Sequence, residues 1–319
     1  MTILALGAVA VGFALLVWSA DRLILGASAL SRHYGISPVV IGVTLVGIGT
    51  AAPEFFIGAL AAAAGHAALP IGNAIGSNFT NSLLVVGASI LAAPLIVPWR
   101  IMRRELPILL GVTVLAYALL RDGTLSRSDG AVLGVGLVVY LALPLLLRDS
   151  EHVPDLGDLG SVSVPKAAAW IVLGLLLCFA GARAVVFGAV SLATTFGVSD
   201  RVIALAVVSV GSSLPELAAS VMAARRGEHG ITLGNVVGSN TMNLLGVLAL
   251  PGLFAPGPVS AVVWTRDYPL MMGVTGLLTA CLVLGYRRGA VPRWIGGVLV
   301  IAFAAYIAWV ILAGDGTAA

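Results

Sequence analysis

Two glutamates stand where a carboxylate is costly to keep. Glu54 lies in the apolar run from Pro38 to Ala64, and Glu216 lies in the run 202–224. Each follows a proline and a stretch of small residues: G-I-G-T-A-A-P-E ends at Glu54 and S-V-G-S-S-L-P-E ends at Glu216. An ionisable side chain at membrane depth marks a functional site by default. Two unpaired carboxylates there repel each other or take up protons. No deep Lys or Arg has a matching position beside both, and Arg183 is matched instead by Asp21. The natural counter-charge is a bound cation, and two carboxylates match one divalent ion.

The neighbouring residues suit such an ion. Pro53 and Pro215 lack an N–H, so the carbonyls of Gly49 and Gly211 lose their helical donors. The carbonyls from Gly47 to Thr50 and from Ser209 to Ser212 can then turn towards a cation, an arrangement tolerated where irregular backbone lines a site. Thr50, Ser212 and Ser213 add hydroxyls. A second pair of segments, G-N-A-I-G-S-N-F-T-N (72–81) and G-N-V-V-G-S-N-T-M-N (234–243), adds Ser77, Asn78, Asn81, Ser239, Asn240 and Asn243. Ser77 and Asn81 are four apart and share a helix face, as do Ser239 and Asn243. Every candidate ligand is an oxygen, which suits Ca²⁺ or Na⁺ and disfavours Zn²⁺ or Cu⁺. Asn78 and Asn240 serve equally well as ligands or as interhelical hydrogen-bonding groups. Gly72, Gly76, Gly234 and Gly238 read as sites of close helix packing.

These residues need elements to hold them. The chain is 60% hydrophobic and 10% charged, where a soluble domain carries ~25% charged residues. That composition makes an integral membrane protein whose partner is the lipid bilayer. The net charge of +3 is spread over loops without a basic stripe, so nucleic acid is excluded as a partner. No protein partner and no cofactor is implied. Cys178 and Cys281 sit inside apolar runs and read as packing residues. The four histidines fall at loops and are expected to be solvated.

A spanning helix needs ~20 mainly apolar residues. Ten runs qualify: roughly 3–29, 38–64, 69–93, 105–120, 129–147, 166–190, 202–224, 231–254, 267–285 and 292–313. The longest polar stretch, 148–165, is expected to be a cytoplasmic linker between a first half (1–147) and a second half (166–319). Loops following odd-numbered spans hold most of the Lys and Arg residues, which places them in the cytoplasm and both termini outside. The Ala-rich, Arg-over-Lys usage suggests a bacterial inner membrane.

Shifted by 162 residues, the chain matches itself. G-A-S-A-L-S-R-H-Y-G-I-S (26–37) lies on G-A-V-S-L-A-T-T-F-G-V-S (188–199), and both pairs of polar segments follow in the same frame. Equivalent positions are five spans apart, an odd number, so the halves face opposite ways across the membrane. Inverted repeats with polar groups at the midplane are the pattern of secondary transporters. The fold class expected is all-α, with ten transmembrane helices in two inverted five-helix repeats.

The paired motifs, [GS]-x-G-[ST]-x-x-P-E and G-N-x-x-G-S-N-x-x-N, resemble the α-repeats of the cation/Ca²⁺ exchanger superfamily, most closely its ten-helix prokaryotic Na⁺/Ca²⁺ exchangers. The resemblance implies that Glu54 and Glu216 bind Ca²⁺ and share in binding Na⁺. It implies further ligands at Thr50 and Ser212, carbonyls at Gly47 and Ser209, serines at Ser77 and Ser239, and amides at Asn81 and Asn243. Ser213 keeps a hydroxyl that its counterpart Ala51 lacks, which makes one Na⁺ position asymmetric. Asn243 stands where some relatives have Asp, which argues against K⁺ coupling. The function implied is Na⁺-driven Ca²⁺ antiport by alternating access, not catalysis. A Ca²⁺/H⁺ antiporter of the same fold and a cation channel are the alternatives.

Overall fold

A computed structural model describes residues 2–146, 162–198 and 209–313. Most of the expected linker and the beginning of the expected seventh span lie outside the described residues. Ten helices run through the rest: α1 (Thr2–Tyr34), α2 (Pro38–Ala63), α3 (Ala68–Ala92), α4 (101–120), α5 (Arg127–Leu146), α6 (Val164–Thr195), α7 (209–225), α8 (His229–Phe254), α9 (Val263–Arg288) and α10 (Arg293–Ala313). Eight of them are individually long and apolar enough to cross a membrane. The exceptions are α4, which opens on Arg103, Arg104 and Glu105, and the described part of α7. At 33 residues, α1 is about 48 Å long, against ~30 Å of hydrocarbon, so it crosses at a tilt or protrudes.

The packing of α1 on α6 shows how the halves are related. A Cβ added at Gly188 would strike Ala5, at Gly12 it would strike Gly181 and Val185, at Gly174 Leu23, and at Gly26 Ala167 and Trp170. Numbers fall along one helix as they rise along the other, so the two run antiparallel in close contact. They are also equivalent elements of the repeat. Two equivalent helices that pack antiparallel are related by a twofold axis between them, lying across their length and therefore in the membrane plane. The protein is an all-α membrane protein of two inverted five-helix repeats.

Smaller features obey the same operation. A short bridge joins Leu95 to Val291 at one end of the bundle, and Thr124–Leu125 pairs with Gly257–Pro258 at the other. Gly87 on α3 abuts Gly296 on α10, and Gly130 on α5 abuts Ala249 and Gly252 on α8. Widened π-helical turns recur at 101–105 and 263–267. Each lies just before a matched proline, Pro107 or Pro269, which withholds an N–H from the preceding turn.

The apolar core centres on α8, which is buried along nearly its whole length. Tight glycine contacts set it against α2. A Cβ at Gly234 would lie 2.5 Å from the Val39 carbonyl oxygen, and one at Gly42 would lie 2.6 Å from that of Ile231. Backbone cannot yield as a side chain does, so these helices touch main chain to main chain. Gly276 on α9 has open space where its Cβ would be. Gly234→Ala should therefore lower the melting temperature of the detergent-solubilised protein by several degrees. Gly276→Ala should leave it level or raise it slightly, through the ~1 kcal/mol advantage of Ala over Gly within a helix.

Candidate cation site

Glu54 and Glu216 are buried to 2% and 1% exposure. They come from the equivalent helices α2 and α7, and the charge of Glu216 acts on Glu54. Equivalent helices of the two repeats thus set their buried carboxylates close enough to interact. Neither carboxylate has a Lys or Arg partner among the described residues.

The two copies frame their glutamates differently. In the second, the helix breaks at Ser213 (φ −94°, ψ 8°) and restarts at Leu214, with Pro215 in its first turn and Glu216 directly behind. In the first, α2 continues as helix through Pro53, and its irregularity is a π-helical turn at 42–46, upstream of the expected one. The irregular backbone therefore lies at Ser213 in one copy and at 42–46 in the other. Ser209 opens the turn of helix that ends at Ser212.

The second pair of segments lies on α3 and α8. Ser77, Asn81, Ser239 and Asn243 are all buried. Asn81 lies in the π-helical turn 80–85 and Asn243 opens the matched turn 243–247. Such single π turns frequently mark functional sites, and here both place an amide within the core.

The oxygens of these residues share a further property. Glu54 Oε2, Glu216 Oε2, Ser77 Oγ, Ser239 Oγ, Asn78 Oδ1, Asn240 Oδ1, Asn81 Oδ1, Asn243 Oδ1 and Ser213 Oγ are buried without a hydrogen-bond partner among the described residues. Each such group costs roughly 1–3 kcal/mol unless something else satisfies it. Nine orphaned oxygens from two short motifs fit a hard cation, which takes six to eight oxygens per Ca²⁺. Thr50 is differently occupied: its Oγ1 is 3.2 Å from Asn235 Oδ1 and also within hydrogen-bonding reach of the Glu216 carboxylate.

Four features escaped the reading of the sequence. Asn235 and Ser220 bond to each other behind Thr50, with Asn235 Nδ2 donating to Ser220 Oγ at 2.9 Å. Glu105, at the start of α4, is also fully buried, accepts a hydrogen bond from Tyr140 at 3.0 Å and lies beside Arg100 and Arg104. The matched pairs Arg104/Arg266, Glu105/Asp267 and Pro107/Pro269, all 162 apart, were the available signal for that cluster. Asp21 accepts a 2.8 Å hydrogen bond from Arg226 Nε, a pairing no spacing rule suggests. His229 is half-buried at the start of α8 with a buried Nδ1, unlike the solvent-exposed His33 and His66; His152 lies outside the described residues.

The model of the sodium/calcium exchanger protein family matches residues 4–146 and 166–312, nearly the whole chain in two blocks. The chain belongs to this family. It is 41% identical to CaxA of Alkalimonas amylolytica, over 93% of this chain and 96% of that one. It is 37% identical to the inner membrane protein YrbG of Escherichia coli, over 96% of each. Among solved structures, the sodium–calcium exchanger NCX_Mj superposes with a TM-score of 0.83 at 32% identity, covering 97% of this chain and 99% of that one. A ten-helix exchanger fold is thereby established for this family member. The nine orphaned oxygens are a property of this chain itself.

If a cation occupies them, it binds the folded protein alone and stabilises it by mass action. Ca²⁺ in large excess over its dissociation constant should raise the melting temperature of the purified protein by several degrees, whereas Mg²⁺, which demands a tighter octahedron, should do much less. In Glu216→Gln the Ca²⁺-dependent rise should disappear.

Proposed function

We propose that this member of the sodium/calcium exchanger family is a secondary antiporter that exchanges Ca²⁺ for Na⁺ through a site built on Glu54 and Glu216. The observation that carries the reading is the pairing of two buried carboxylates with seven orphaned neutral oxygens. Two negative charges without a protein cation call for two positive charges from solution. One Ca²⁺ supplies them, or two or more Na⁺ do. The two loads compete for the same carboxylates, so the protein crosses carrying one or the other.

The neutral oxygens favour Na⁺ over H⁺ as the counter-ion. A proton needs only the carboxylate it binds, whereas a dehydrated Na⁺ needs several oxygens around it. Thr50, Ser212, Ser213, Ser77, Ser239, Asn81 and Asn243, with the carbonyls of Gly47 and Ser209, are the ligands we assign beside the two glutamates. In this mechanism α1 and α6 move as a pair across the core of α2, α3, α7 and α8, opening the site to one side at a time. With more than two Na⁺ per Ca²⁺, each cycle moves net charge and responds to voltage. The Na⁺ gradient of a cell then drives Ca²⁺ outward, from an inner membrane in which both termini lie outside.

The test is Ca²⁺ uptake into proteoliposomes preloaded with Na⁺, with K⁺, or with an acid interior, with Glu54→Gln in parallel. Uptake against internal Na⁺ alone, lost at least a hundredfold in Glu54→Gln, is the expected result. Uptake driven by the acid interior alone identifies a Ca²⁺/H⁺ antiporter. Uptake indifferent to every internal ion identifies a channel.

A further inference from the structure

The inverted repeat makes the two glutamates equivalent, but the residues behind them are not. Asn235 is fully buried on α8 and links two groups. Its amide nitrogen donates to Ser220 Oγ at 2.9 Å, and its oxygen lies 3.2 Å from Thr50 Oγ1. Ser220 is one turn beyond Glu216 on α7, and Thr50 is one turn before Glu54 on α2. Asn235 therefore ties a segment of the second repeat to one of the first, directly behind both carboxylates. Rotating the amide by half a turn exchanges donor and acceptor but keeps both links, because each hydroxyl can give or receive.

Five residues further on, α8 makes a second such link. Asn240 Nδ2 donates to Ser82 Oγ at 3.0 Å, and Ser82 follows Asn81 in the π-helical turn of α3. Neither link can be made in the opposite sense. The counterpart of Ser220 is Gly58, and the counterpart of Ser82 is Leu244. Asn73, the counterpart of Asn235, has no hydroxyl at 58 to hold and is half-buried. Asn78, the counterpart of Asn240, donates instead to the Ala74 carbonyl of its own helix at 3.0 Å.

We infer that Asn235 and Asn240 are positioning residues that hold the Thr50 and Asn81 ligands from across the repeat boundary, so that the first repeat's half of the site is preset by α8. This rests on the assignment of Thr50 and Asn81 as ligands. Partners behind metal ligands fix ligand orientation, and their loss typically lowers metal affinity ten- to a hundredfold. The consequence here is one-sided: removing Asn235 frees Thr50, and removing Ser220 lets the Asn235 amide turn, whereas removing Asn73 breaks no equivalent clasp.

The experiment measures Ca²⁺ and Na⁺ half-saturation in proteoliposome exchange, together with the melting temperature of each ion-free protein. The variants are Asn235→Ala, Ser220→Ala, their double, Ser82→Ala and Asn73→Ala, with Glu54→Gln as reference. The expected result is a tenfold or greater rise in half-saturation for Asn235→Ala and a smaller rise for Ser220→Ala. The double should be no worse than Asn235→Ala, the non-additivity of residues that act as one unit. Asn73→Ala should stay within about threefold, following the sequence-level asymmetry argued above. Equal losses in Asn235→Ala and Asn73→Ala, additive losses in the double, or unchanged half-saturation in Asn235→Ala would each overturn the inference. So would losses that track melting temperature, which mean bulk destabilisation. Failure of Glu54→Gln to abolish exchange would instead overturn the site on which the inference rests.

Discussion

Two buried carboxylates from equivalent helices, with no basic side chain among the described residues to neutralise them, are the constraint around which the rest is arranged. Burying a charge costs far more than burying an apolar group unless it is paired. The protein shows both outcomes. Glu105 is as deeply buried as Glu54, and it is met by Arg100, Arg104 and the Tyr140 hydroxyl. That carboxylate is compensated by the chain and has a structural role. Glu54 and Glu216 lack such partners among the described residues, and the groups that line up with them are neutral oxygens that also lack partners. The same chain that neutralises a buried acid with arginine at Glu105 offers none to Glu54 or Glu216 among the described residues. On the proposed function the compensation has to come and go, and a fixed guanidinium would occupy the place of the cargo.

The sequence disclosed what depends on spacing. The repeat, the two glutamates and the serine–asparagine pairs four residues apart were readable because equivalence by 162 residues is a one-dimensional property. The ten spans were readable because hydrocarbon sets a minimum apolar length. What stayed hidden depends on which faces meet. Glu105 looked like a residue at the end of a span because three charges cluster there; the fold turns that cluster inward against Tyr140. Pro53 promised a broken helix, but α2 runs through it and is widened about two turns earlier, at 42–46. Matched Asn73 and Asn235 were visible in the motif, yet the role of Asn235 depends on Ser220, and position 58 offers only glycine.

An inverted repeat gives a carrier two related arrangements for little sequence, and the departures from symmetry decide which one is lower in free energy. α1 packs along α7 through Ala20, Leu23 and Ala27, in clusters shared with Leu214, Ala219 and Ala223. At its edge Asp21 accepts the Arg226 guanidinium. The mirror of this contact would join Arg183 to Ala64, which cannot form an ion pair. On the proposed function the clasp therefore belongs to one arrangement only. Both side chains are about a quarter exposed, so the pair is worth on the order of 0.5 kcal/mol. That is a two- to threefold bias between the two arrangements, small enough for a change of load at Glu54 and Glu216 to outweigh it. On the proposed function such a margin is needed: strong asymmetry would hold the carrier open to one side, whereas a weak clasp between α1 and α7 leaves the choice to the ions.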